Sequence, residues 1–198
     1  MNAPRLIGLT GPAGCGKDTV RAILEEHGYN GLAFADPIRH MLRELFTSNG
    51  ICTSFMDARN LKEATIPQLC TSYRHLAQTL GTEWGRSVAP DLWLRLAASY
   101  MGDLSNSGEL ATDDGYARFV ISDVRFANEA DWVRQRGGVI WRINRPQAAP
   151  VRAHVSETEM QSIQPDVCVD NTDTLDHLRT QVQQALALQF GGQSEVAA

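Results

Sequence analysis

Lysine is nearly missing from this chain: of 18 basic residues only Lys17 and Lys62 are lysines, and the rest are arginines. Cysteine is scarce too. Cys15, Cys52, Cys70 and Cys168 are far apart with no C-x-x-C pair, which excludes a zinc ribbon and a disulfide framework. The opening stretch "MNAPRLIGLT" has no secretory pattern, and no apolar run approaches the ~20 residues of a membrane span, so a reducing cytoplasm is the expected setting and no membrane is expected as a partner. A basic excess is also lacking. With a net charge of -5 and a pI near 5.5, broad binding to a nucleic-acid polymer is not expected. What is present suits one globular domain, since 198 residues with 43% hydrophobic and 21% charged side chains can fill and solubilise an α/β core.

The densest signal is "LTGPAGCGKDTV" at 9–20. Gly11, Gly16 and Lys17 match the phosphate-binding pattern G-x-x-x-x-G-K-[S/T], with Asp18 where a hydroxyl is usual. An apolar strand reading at Leu6 to Thr10 precedes it, and a helical reading from Thr19 to Glu26, with Val20, Ile23 and Leu24 on one face, follows. That context lets the amides of Gly11, Ala13, Gly14, Cys15 and Gly16 point into phosphates at a helix amino end, with Lys17 as a point charge. Cys15 reads as filler at a permissive loop position. Asp18 poses an electrostatic problem: a carboxylate and a phosphate oxygen about 4 Å apart repel by ~4 kcal/mol at an effective dielectric of about 20. Its benefit to the helix dipole, ~0.3–1 kcal/mol, is too small to offset that. A divalent magnesium ion reverses the sign, so Asp18 is expected to order Mg²⁺ directly or through water, with Thr19 as the alternative ligand.

Along the rest of the chain, "YNGLAF" reads as a second strand and Pro37 onward as a helix with Ile38, Leu42 and Leu45 as its apolar stripe. Residues 47–70 give no firm pattern. From Ser72 a helix is expected that stops at Gly81, then another capped by Asp91, then a surface loop over 102–117. Three further strands are expected in "RFVISDVRF", "VIWRINR" and "DVCVDN", with a helix in "ANEADWVRQRGG" and a last one from Thr174 to Phe190 with Leu175, Leu178, Val182 and Leu186 inward. Residues 146–165 hold three of the eight prolines and no periodicity, which suits a flap. Strands alternating with helices imply an α/β fold: a parallel five-stranded sheet with helices on both faces. The expected organisation is one domain over 1–190, a helical insertion at about 36–102, a lid at about 144–165, and a flexible tail at 191–198.

Three further groups carry chemistry. Asp123 follows a hydrophobic strand in a parallel sheet, on the side where ligands bind, and suits metal-bound water or nucleophile orientation; Arg125, two positions on, suits bidentate phosphate contacts. Glu129 and Asp131 read as ordinary helix charges. Arg74 and Gln78 share a helical face, with Thr82, Glu83 and Arg86 nearby and Arg39 on the earlier helix, a set suited to an anion and a polar ring. Trp84 or Trp93 offers a stacking surface or core packing. Arg142, Arg145 and Arg152 flank the flap that contains His154, Ser156 and Glu157; seven arginines fall between 118 and 152.

Taken together, "GKDT" at 16–19, "FADPIRHML" at 34–42, "LAQTLGTEWGR" at 76–86, "DVRFANEA" at 123–130 and "HVSE" at 154–157 resemble the deoxynucleoside monophosphate kinases of bacteriophage type, in the P-loop nucleoside monophosphate kinase superfamily. The resemblance implies transfer of the ATP γ-phosphoryl group to a deoxynucleoside monophosphate with Mg²⁺, in a host cytoplasm if phage-encoded, and it admits a homodimer. It implies that Lys17, Asp123 and Arg125 are catalytic. The loop from Gly11 to Thr19 and Arg145 would hold ATP, and Asp18 and Asp123 the metal. Arg39, Arg74, Gln78, Thr82, Glu83, Trp84, Arg86 and Arg152 would hold the acceptor. One departure is Arg39, where similar sequences often carry lysine. Phosphomevalonate kinases of animal type share the "GKD" loop and are the enzyme alternative; a P-loop ATPase switch is the other.

Overall fold

The computed structural model of the chain describes residues 5–107, 116–146 and 155–191. In chain order, β1 (Leu6–Thr10) leads into α1 (Lys17–Glu26) and β2 (Tyr29–Leu32) into α2 (Asp36–Ser48). Then come α3 (Ser54–Asp57), β3 (Thr65–Ile66), β4 (Thr71–Ser72), α4 (Tyr73–Gln78), a π-helix over Thr79–Trp84, α5 (Gly85–Val88) and α6 (Leu92–Ser107). The remainder is β5 (Arg118–Ile121), α7 (Ala127–Gln135), β6 (Val139–Asn144), α8 (Val155–Ser162), β7 (Val167–Asp170) and α9 (Leu175–Gly191). The chain divides into two compact units, Met1–Ala33 with Ala98–Ala198, and Phe34–Ala97.

The first unit is built on a five-stranded sheet in the order β2-β5-β1-β6-β7, every neighbouring pair parallel. Parallel strands are covered on both faces, which is why these segments read as unbroken apolar runs; all five residues of β1 are buried. Alternation then sorts the side chains. Ile7, Leu9, Val120, Trp141, Ile143 and Val169 meet Val20, Ile23 and Leu24 of α1 and Leu178, Val182, Ala185 and Leu186 of α9 in one cluster. A ten-residue helix is marginal alone in water. Burying those three α1 side chains contributes ~5–8 kcal/mol as an upper bound, and that holds α1 in place. The opposite face is closed by α7, and the space there is tight around Gly8: a Cβ would lie 2.8 Å from Ile140 Cδ1 of β6, 2.9 Å from Val124 Cγ2 and 3.4 Å from Val133 Cγ2 of α7. The five parallel strands with helices on both faces agree with the sequence-based expectation.

The second unit is mainly helical. Its core gathers Ile38, Leu42 and Phe46 of α2, with Tyr73 edge-on to Phe46 at 6.4 Å and Met56, Ile66 and Trp93 also buried. Among the described residues, residues 47–70 resolve into the end of α2, α3, a 3-10 turn at Arg59–Leu61 and the small β3–β4 hairpin. The α4 start at Ser72 is as expected, and its hydroxyl accepts the His75 N–H at 3.2 Å.

Several expectations need correction. The α2 stripe is Ile38, Leu42 and Phe46, spaced by four, so Leu45 turns outward and is exposed. On α9 Leu175 is exposed as well, with Leu178, Val182 and Leu186 inward. Gly81 does not stop a helix; the chain continues through the π-helix into α5. The loop expected from 102 is helical to Ser107, and 108–115 lie outside the described residues. Within 146–165, Val155–Ser162 is helical, while 147–154 lie outside the described residues. Residues 192–198 of the expected tail also lie outside them.

Candidate active site

Because all five strands run the same way, their carboxyl ends share one edge, and the chain leaving them builds the site. After β1 comes the loop from Gly11 to Gly16. Gly11 has φ +139°, and a Cβ there would lie 2.5 Å from Ile143 O; Gly16 has φ +107° and caps α1 against the Asn171 amide. Both are conformations that a side chain would strain. The loop closes on itself through Cys15 N–H to Pro12 O at 3.2 Å. Lys17 Nζ is folded into the loop, donating to Gly11 O at 2.6 Å and Pro12 O at 2.9 Å. These carbonyls hold the ammonium beside the amino end of α1, where backbone N–H groups and the helix dipole favour an anion. Asp18 and Thr19 sit in the first turn of α1 and are exposed.

Cys15 is not at a permissive position. Its side chain is fully buried in the cluster under α1, and burial pushes the thiol above its ordinary value, against the opposing pull of Lys17. A protonated, enclosed thiol is an anchor for the loop rather than a nucleophile.

A second anchor escaped the sequence reading. Asn171, just after β7, donates from Nδ2 to Cys15 O at 2.9 Å, and its own N–H bonds Asn144 O at 2.7 Å. A single asparagine after a strand carries no motif that would have singled it out.

After β5 the chain turns through Ser122 to Phe126. The Val124 N–H bonds Leu9 O at 3.0 Å, which ties this turn to β1. Asp123 is 8% exposed and Arg125 half-buried. Glu129, expected as an ordinary helix charge, is 5% exposed. Its Oε2 accepts the Arg125 N–H at 2.8 Å and the Phe126 N–H at 3.1 Å, capping α7 and bracing the turn that carries Asp123 and Arg125. Asp131 is exposed, as an ordinary helix charge would be.

Beside the loop, a cleft of about 170 Å³ is lined by Gly11, Pro12, Arg142, Met160 and Gln161. Arg142, expected to flank the flap, donates from its guanidinium to the carbonyls of Met160, at 3.3 Å, and Ile163, and so caps the end of α8. Arg145 follows β6 and is exposed. Arg152 and His154 lie outside the described residues.

The candidate acceptor residues other than Arg152 lie in the second unit. Arg74 and Gln78 are on α4, Thr82, Glu83 and Trp84 on the π-helix, and Arg86 on α5, one continuous helical run. Arg74 pairs with Glu63, and Arg39 with Asp36 at 2.7 Å. Such partly exposed pairs are worth ~0–1 kcal/mol, so a dianionic phosphate can displace the carboxylates. Trp84 is 47% exposed; Trp93 is buried, its ring 6.4 Å from that of Trp84.

Among the described residues no cluster of three or more His, Cys, Asp or Glu is placed to hold a metal alone. The donors at hand, the Asp18 and Asp123 carboxylates and the Thr19 hydroxyl, are hard oxygens. That set fits an ion such as Mg²⁺, which keeps waters and takes phosphate oxygens, better than a soft metal.

A glycine-rich cradle at the head of a helix, with an acid and an arginine after the neighbouring strand, defines a phosphotransferase of the P-loop kinase class. The family model for deoxynucleotide monophosphate kinase matches residues 47–182. A protein of Acanthamoeba polyphaga mimivirus, provisionally named a deoxynucleotide monophosphate kinase, is 31% identical over 185 residues, spanning 89% of this chain and 93% of the viral protein. The chain belongs to the deoxynucleotide monophosphate kinase family. Among solved structures, TT1252 from Thermus thermophilus is similar with a TM-score of 0.50 and 21% identity, covering 94% of this chain and 98% of that one. Shikimate kinase from Aquifex aeolicus is similar with a TM-score of 0.50 and 16% identity, covering 94% and 99%. At these identities the two structures speak for the fold alone. No helix among the described residues is long and apolar enough to cross a membrane.

Proposed function

We propose that the protein transfers the γ-phosphoryl group of ATP to a deoxynucleoside 5′-monophosphate, yielding the diphosphate and ADP. An oxygen of the acceptor phosphate forms the new bond to the γ-phosphorus, the bond from that phosphorus to the β,γ-bridging oxygen breaks, and ADP keeps the electron pair. The observation that carries this reading is the cradle itself, with the Lys17 ammonium held 2.6 Å from Gly11 O at the amino end of α1, from where rotation about its stem would bring it onto the β- and γ-phosphates.

The amides of Gly11 to Gly16 receive the donor phosphates. The buried Asp123 orients the acceptor oxygen, and Arg125 spans the charge that develops on the transferring group. Asp18 and Asp123, with Thr19 as the alternative to Asp18, would hold Mg²⁺, which when bound neutralises the phosphate oxygens. Arg39, Arg74 and Arg86 take the acceptor phosphate, Arg39 and Arg74 exchanging carboxylates for phosphate oxygens. Gln78, Thr82 and Glu83 supply hydrogen bonds for the base and Trp84 a stacking face. Arg145 would contact ATP and Arg152 the acceptor. In this reading Phe34–Ala97 is the acceptor-binding insertion.

A coupled assay for ADP with a panel of deoxy- and ribonucleoside monophosphates tests the proposal, with mevalonate phosphate as control. Turnover that requires a deoxynucleoside monophosphate is the expected outcome. ADP release at the same rate without any acceptor would overturn it in favour of an ATPase switch. In Asp18→Ala the magnesium concentration for half-maximal rate should rise; an unchanged value would remove Asp18 from the metal.

A further inference from the structure

The π-helix over Thr79–Trp84 is the least ordinary backbone in the second unit. Its i→i+5 spacing shows in the Gly85 N–H, which bonds Leu80 O. Such turns are rare and persist where neighbouring groups hold them, frequently at functional sites. Here the neighbour is Trp93, buried on α6, and it touches the turn in three ways. Its Nε1–H donates to Gly81 O at 2.7 Å. Its ring covers Gly85 so closely that a Cβ there would lie 2.6 Å from Cε2. The same ring lies 6.4 Å from that of Trp84, tilted by 49°. From the other side Ile38 Cδ1 would be 2.9 Å from any Cβ at Gly81. The two glycines are therefore where Ile38 and Trp93 press against the turn, and the indole N–H pins the carbonyl between them.

We infer that Trp93 is a positioning residue for recognition of the acceptor's nucleobase: through Gly81, Gly85 and Trp84 it fixes the π turn that presents the exposed Trp84 ring as a stacking platform. This rests on the reading that residues 74–86 hold the acceptor. A flat indole that is half exposed, beside a second indole that is buried, suits the π-face of any nucleobase. The buried partner removes the freedom of the exposed one, so the platform is ordered before the base arrives.

Trp93→Phe keeps a ring and deletes the N–H, and Trp84→Ala deletes the platform; both, and the double variant, are assayed for KM of the monophosphate, KM of ATP, kcat and Tm. One net hydrogen bond corresponds to roughly a 2- to 10-fold change. The expected result is a 2- to 10-fold higher monophosphate KM in Trp93→Phe with ATP KM within twofold. The double variant should be no worse than Trp84→Ala, because both changes act on one platform. Trp84→Phe, which keeps a stacking ring, should recover most of the Trp84→Ala loss. Gly85→Ala, which pushes the Trp93 ring aside with its N–H intact, gives a second route and should raise the same KM.

If the two single effects multiply in the double variant, Trp93 acts elsewhere and the inference fails. If Trp84→Ala raises the monophosphate KM while Trp93→Phe and Gly85→Ala do not, the inference fails and the acceptor reading stands. If no variant moves that KM in an active kinase, the acceptor reading itself fails. A rise in both KM values together with a large fall in Tm marks Trp93 as a general core residue and overturns its positioning role.

Discussion

Replacing Glu129 separates a structural carboxylate from a decorative one. Its Oε2 accepts two backbone N–H groups, those of Arg125 and Phe126, and the side chain is almost fully buried at the third position of α7. Hydrogen bonds to a charged group are worth ~1.5–3 kcal/mol each, and the negative charge in the first helical turn adds ~0.3–1 kcal/mol. Relief of the carboxylate's own desolvation opposes these, so Glu129→Ala should cost about 3 kcal/mol. Glu129→Gln keeps an acceptor but no charge and should cost about 1–2 kcal/mol. For a chain of this length about 3 kcal/mol corresponds to a fall in Tm of ~6–12 °C. Catalysis should suffer beyond stability, because the two N–H groups belong to the turn that carries Asp123 and Arg125, and a displacement of about 1 Å can cost ~100-fold. Urea unfolding of Glu129→Ala, Glu129→Gln and the exposed control Asp131→Ala, with kcat measured well below each Tm, reads both effects. The control should stay within about 0.5 kcal/mol of the parent. The reasoning is refuted if Glu129→Ala is no less stable than Asp131→Ala, or if its kcat is unchanged.

Three further outcomes follow from other contacts. Asn171→Ala deletes the bond to Cys15 O, worth ~1 kcal/mol, and should raise KM for ATP several-fold with little change for the monophosphate; equal shifts in both would mean that Asn171 does not act through the loop. Iodoacetamide followed by mass spectrometry at pH 8 should label Cys52 well before Cys15. The Cys52 thiol is exposed and lowered by its hydrogen bond with Ser54, whereas burial raises Cys15; the reverse order would contradict both environments. Burial pushes the Tyr29 phenol up to about 12 from its ordinary 10, despite the opposing pull of Arg118. Since the folded state holds that proton more tightly, the stability linked to it is complete below pH 10 and drains away as pH rises towards 12, by up to ~1.4 kcal/mol per unit. Tyr29→Phe should flatten that slope in urea titrations at pH 9 and 11, and an identical slope in the variant would assign the loss to other groups.

What could be read from the chain in advance was whatever one dimension encodes. The strands were legible because parallel strands are buried on both faces and so read as apolar runs, and the loop because its glycines and Lys17 act through backbone geometry at fixed spacing. The failures share a cause: each residue's role is set by what another segment brings to it. Gly81 reads as a helix stop, yet the helical run continues through it, and a Cβ there would press on Ile38 Cδ1 at 2.9 Å. Cys15 reads as loop filler, yet the cluster beneath α1 encloses it. Glu129 has the spelling of any surface acid, and only the fold shows that two backbone donors converge on it. Trp93 is the same kind of case, since nothing in "DLWLRL" distinguishes a core indole from one that pins a carbonyl twelve residues earlier. On the proposed function, the motif residues are those that would meet phosphate through local backbone, while the residues proposed to aim them, Glu129, Asn171 and Trp93, are visible only through long-range or burial-dependent contacts. Substitutions at the first group should act on chemistry at nearly constant stability. Substitutions at the second should couple the two, and plotting kcat against Tm across both groups would expose that division as two separate trends.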